Sequence, residues 1–163
     1  MSENSELALT KIDYIKYYLD TITERFRGFD TKAAEILGFI IVAESIVAVL
    51  TQMATLLIST QILLVLASLL FFGAAILCVL VLWPKPLAYP GPDVNEIMTA
   101  LENLDLQDLT NQLFSWFNGA AKNNEPRVSQ KARLFKITCL TTLLGIFFLL
   151  LSIVVICAEI FKF

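Results

Sequence analysis

The chain has 163 residues, 57% of them hydrophobic and 17% charged, and its mean hydropathy of +0.73 lies above that of water-soluble domains. A net charge of −3 and a pI near 4.9 give no basic signature, which sets aside a nucleic-acid polymer as a partner. Histidine is absent, so the commonest general base and the commonest metal ligand are both missing.

The first 30 residues are polar and charged and do not read as a cleavable leader. Within them Ile12, Ile15, Leu19, Ile22, Phe26 and Phe29 recur at alternating steps of three and four, the stripe of an amphipathic helix that packs against another helix. Lys11, Asp13, Lys16, Asp20, Glu24 and Arg27 occupy the opposite side. That mixed charge fits a water-facing surface better than the Lys- and Arg-rich face of a helix lying on a bilayer. Gly28 marks a place where this helix can bend.

From Ile36 to Leu82 the chain is uncharged except at Glu44. A single crossing of ~30 Å of hydrocarbon takes ~20 apolar residues, so this run suits two crossings joined as a hairpin. The polar cluster Ser59-Thr60-Gln61 is the expected bend, giving one span over about 34–58 and a second over about 61–83. Trp83-Pro84-Lys85-Pro86 then combines an interfacial aromatic, helix-breaking prolines and a cation, which ends the second span. Tyr89-Pro90-Gly91-Pro92 reads as a rigid linker. Asp93 and Glu96 have capping-box spacing ahead of Ile97, Met98, Leu101 and Leu104, which predicts a short helix. Leu106, Leu109, Leu113, Trp116 and Phe117 predict another, ending at Asn118-Gly119 or fraying through Asn123-Asn124. Pro126 suits the first turn of a new helix that runs on into a third apolar stretch, Ile137 to Ala158.

The expected architecture is therefore an all-α integral membrane helical bundle with three transmembrane helices. Eleven of the twelve Lys and Arg residues lie before the first span or between the second and third, and only Lys162 lies beyond. The positive-inside rule then predicts a cytoplasmic N-terminus. The expected parts are a cytoplasmic amphipathic helix over 1–32, a hairpin over 33–83, a cytoplasmic helical connection over 84–136, a third span over 137–160 and an external tail over 161–163.

Glu44 is the sharpest candidate for function, because a carboxylate inside a hydrophobic helix is costly unless neutralised or solvated. At 100° per residue, Thr51 and Thr55 lie within ~20° of it around the helix, with Gln52 at ~80°. One reading makes this stripe the lining of a pore or ion path; the other makes it interhelical glue that fixes register. The basic residues Arg25, Arg27, Lys32, Lys131, Arg133 and Lys136 flank the spans. They suit lipid headgroups or, alternatively, a phosphate-bearing small ligand with Tyr14, Tyr17, Tyr18 or Trp116 as stacking partners. Cys78, Cys139 and Cys157 fall inside apolar runs and read as packing residues. Enzyme templates fail without histidine, and no cofactor or metal is expected.

Arg25-Phe26 and the junction Phe29-Asp30-Thr31-Lys32-Ala33-Ala34-Glu35-Ile36-Leu37-Gly38-Phe39, with the Lys131-Ala132-Arg133-Leu134-Phe135-Lys136 entry to the third span, resemble the Pycsar transmembrane effectors of bacterial anti-phage defence. SLATT-type effectors share the general plan. The resemblance implies a multi-pass protein of the bacterial inner membrane that responds to a cyclic nucleotide made during infection and damages that membrane, an abortive infection. Asp30 and Lys32 match the junction and carry no transferred role. The expected partners are the lipid bilayer, further copies of the chain, a cyclic mononucleotide and a cytoplasmic defence component. A non-conducting scaffold or accessory subunit that recruits a partner through its helical cap is the alternative. A secondary transporter is disfavoured, because three spans give no inverted repeat.

Overall fold

In the computed structural model the backbone is described for residues 3–52, 57–91, 99, 102 and 104–161, and the side chains for all of these except 3–9, 11 and 106. The described residues form three long helices: α1 over Glu3–Gln52, α2 over Ile58–Leu82 and α3 over Leu106–Ile160. The fold is all-helical, and each helix is long and apolar enough to cross a bilayer.

Two units divide the chain. One, here the amphipathic unit, comprises Met1–Gly28 and Pro84–Gln130; the other, the apolar unit, comprises Phe29–Trp83 and Lys131–Phe163. In the amphipathic unit Leu19 packs with Ala120 and Ala121, flanked by Ile15 and Phe117. The three-and-four stripe expected on α1 is the buried one, with Leu19, Ile22 and Phe26 nearly inaccessible. Burying such side chains supplies about 1.5–3 kcal/mol each.

In the apolar unit the core contains Ile40, Ala43 and Val47 from α1, Leu64, Ala67, Phe71, Ala74 and Cys78 from α2, and Leu149 from α3. The buried positions of α2, namely Thr60, Leu64, Ala67, Phe71, Ala74, Cys78 and Val81, alternate steps of four and three without a break. Those of α3 do the same from Thr138 through Thr142, Gly145, Leu149 and Ser152 to Ile156. Such spacing is the knobs-into-holes seam of a left-handed bundle. At its centre a Cβ on Gly145 would lie 2.8 Å from the Phe71 ring, so the absence of a side chain there admits the largest fully buried residue of the unit.

Several boundaries differ from those expected. α1 ends at Gln52 and α2 starts at Ile58, so Ser59-Thr60-Gln61 form the first turn of α2 rather than the bend. This turn has no side-chain cap; the Gln61 N–H bonds to the Leu57 carbonyl at 3.1 Å, and Thr60 is buried. α3 does not stop at Asn118-Gly119 or at Asn123-Asn124; it continues with Pro126 inside it. Packing of Ala120 and Ala121 on Leu19 and two side-chain bonds from Asn124 hold this stretch despite the lost N–H. Helix α1 also passes through Gly28 without interruption. Most of the short helix expected from Asp93 lies outside the described residues; Thr99 and Glu102, which are described, are helical.

α2 closes at Trp83, whose ψ of 124° is the extended value a following proline imposes. The segment after it is a strap along α3 in the amphipathic unit. Lys85 Nζ donates to Gln130 Oε1 at 3.1 Å, the Arg127 guanidinium donates to the Pro86 carbonyl, and Ala88 N–H donates to Asn124 Oδ1 at 2.7 Å. Asn124 Nδ2 returns a bond to the Ala88 carbonyl at 2.9 Å. Three extended residues advance ~10 Å and six helical ones ~9 Å, which is why the partners move six positions back along α3 while the strap advances three. At Gly91 the strap turns with φ of 104°, a conformation that suits glycine.

Candidate functional site

Glu44 lies on α1 at mid-span of the apolar unit and is half-buried. The hydroxyl of Ser68 on α2 sits 3.0 and 3.1 Å from its two carboxylate oxygens and donates to them. A serine has one proton, so this is a shared bond that ties α1 to α2 at one level. Ser68 reads in the sequence only as a small residue that lets helices approach. The missing signal is pairing, which a sequence does not carry for two residues on different helices.

Among the described residues of the stripe, Thr51 and Gln52 do not gather round Glu44. Thr51 donates back to the Val47 carbonyl of its own helix, and Thr51 and Gln52 both face outward. Thr55 lies outside the described residues. Ser45, Thr138, Thr141, Thr142 and Ser152 likewise bond to carbonyls three or four residues earlier. Hydroxyls satisfied in this way are tolerated in hydrocarbon. The centre of the apolar unit is filled by Leu64, Ala67, Phe71 and Ala74, none with measurable exposure. A water path along Glu44 is thus not enclosed by the packed core of one chain.

The basic residues part company. Lys131 is 4% exposed and its ammonium pairs with Asp30 Oδ1 at 2.5 Å, so its charge is engaged by a carboxylate rather than offered to a phosphate. One turn away, the Phe29 and Phe135 rings lie 5.6 Å apart between centroids. Lys32, Arg133 and Lys136 in the same unit are exposed. Arg25 and Arg27 are exposed in the amphipathic unit. A cue for Lys131 does exist: it stands seven residues before Thr138, which puts it on the seam of α3 rather than its rim.

On the amphipathic unit, Tyr14 and Tyr17 are each 71% exposed, Tyr18 is 37% exposed, and Trp116 is half-buried. Comparison with protein-family models, characterised proteins and solved structures returned no match.

Proposed function

We propose that the protein is a homo-oligomeric effector of the bacterial inner membrane. Activated by a cyclic mononucleotide or a cytoplasmic defence partner, it rearranges its spans and permeabilises the bilayer, ending phage replication with the host cell. One observation carries this reading: α1 and α3, 50 and 55 residues long, each run as one helix from the amphipathic unit into the apolar unit. A helix shared by two units is a route by which an event in one can reach the other. The filled core argues for a path between copies of the chain rather than through one, with Glu44 as the carboxylate that such a path would meet. The junction around Asp30 and Lys32, with its likeness to Pycsar-type effectors, supplies the biological context. The positive charge before the first and third spans supports a cytoplasmic amphipathic unit.

The test is membrane potential, followed with a voltage-sensitive dye in cells that express the chain with a nucleotide cyclase. Depolarisation with the active cyclase and none with a catalytically dead one is expected. Unchanged potential in both rejects the reading. Glu44→Gln should shift the ion selectivity of the leak if the carboxylate lines the path. The tie of Glu44 to Ser68 favours a second reading, a non-conducting scaffold in which Glu44 only sets register. In that case Glu44→Gln behaves like the wild type and a pull-down returns one stoichiometric partner.

A further inference from the structure

The seam of α3 is small or apolar from Thr138 to Ile156, and Lys131 occupies a seam position ahead of it with its side chain inaccessible. A methionine or leucine would fill the same volume without desolvating a charge, and buried ion pairs often contribute less to stability than such replacements. What an ion pair adds is direction: it is satisfied in one register of α1 against α3 and unsatisfied in the next. The two partners are also unequal in access. Lys131 is sealed and so is the Oδ1 atom it meets, while the Asp30 side chain as a whole is 37% exposed, so water reaches the rest of that carboxylate's side chain but not the contact itself. Phe29 and Phe135 make the neighbouring α1 to α3 contact, a second marker of the same register.

We infer that Asp30 and Lys131 form a releasable latch that holds α1 against α3 in the resting bundle, and that its opening frees the spans to rearrange. The inference rests on the signal-responsive effector reading for its purpose, though not for its geometry. Closed, the latch fixes the side-by-side, parallel register in which residue 30 meets 131 and residue 29 meets 135. Open, it leaves an uncompensated ammonium on the seam, which drives α3 to turn that position toward water or an anion.

The test uses the full-length chain in liposomes, with its three cysteines replaced by alanine and new cysteines at positions 29 and 135. Crosslinking by a short bismaleimide reads the closed register. The parent should crosslink efficiently, Asp30→Asn and Lys131→Met should each lower the yield severalfold, and the exchange Asp30→Lys with Lys131→Asp should restore it. Helical circular dichroism and a monodisperse elution profile verify folding. Should the single variants not fold, the exchanged pair decides alone, since recovery of the parent yield supports the latch and failure to recover overturns it. Equal yields in the parent and both single variants also overturn it. Dye leakage from the same liposomes separates the two ideas: lost crosslinking without leakage keeps the latch and rejects permeabilisation. Leakage with crosslinking unchanged does the reverse.

Discussion

The two units use one spacing in opposite ways. In the amphipathic unit the buried positions of α1 are large and apolar, Leu19, Ile22 and Phe26, and the positions turned outward include Asp13, Lys16, Asp20 and Glu24. In the apolar unit many large side chains point out, Phe39, Ile46, Leu69, Phe72, Phe147 and Leu150 among them, and the seam sets Ile40, Leu64, Phe71 and Leu149 among small residues: Ala33, Ala43, Ala67, Ala74, Thr138, Thr142, Gly145 and Ser152. Against water, burial follows apolarity. Against lipid, whose tails are as apolar as leucine, apolarity gives no preference for the inside, and close backbone approach through small residues decides which face is covered.

Substitutions at neighbouring positions sharpen that contrast. Leu64 has no exposure, and Leu64→Ala should cost about 2–5 kcal/mol, because lost packing is felt whatever the outer solvent. The check is reversible unfolding in mixed detergent micelles, and a change below 1 kcal/mol would break the contrast. Gly145→Ala should follow at about 1–3 kcal/mol, because the new methyl meets the enclosed Phe71 ring. Pairing it with Phe71→Leu should return part of the loss in the same assay. Asn124→Ala removes both bonds to Ala88 and should cost about 1–3 kcal/mol, confined to the strap. Faster amide exchange at 85–90, with spans unchanged, is the expected signature. Leu69 is 63% exposed, and Leu69→Ala should stay within about 0.5 kcal/mol, as for surface positions elsewhere, although leucine is the more hydrophobic residue.

The same contrast explains what could be read from the sequence. Helix α1 from Ile12 to Phe29 shows its buried stripe directly, because polar and apolar positions alternate at the helical period. The three long apolar helices are equally plain, since length and hydropathy need no partner information. Within them the pattern fades: Leu64 and Val65 are both aliphatic, yet one is enclosed and the other open. The bend was harder still, because Ser59, Thr60 and Gln61 suit a first helical turn as well as a loop. Of the candidate site, Glu44 was legible as an isolated charge, whereas its bond to Ser68 and the pairing of Asp30 with Lys131 are long-range facts set by how helices meet. Asn124, read as a fraying end, proved to be a buried side chain satisfied on both its amide groups.

The unbroken seam along each long helix also fixes how these helices can change in length. Loss of one residue from α1 or α3 rotates everything beyond it by ~100°, which would swing bulky side chains into the narrow interior and leave Ala43 or Gly145 facing outward. Removing seven preserves the phase to within ~20° and merely shortens the rod by ~10 Å. Viable descendants of this chain should therefore differ in these two helices by whole heptads.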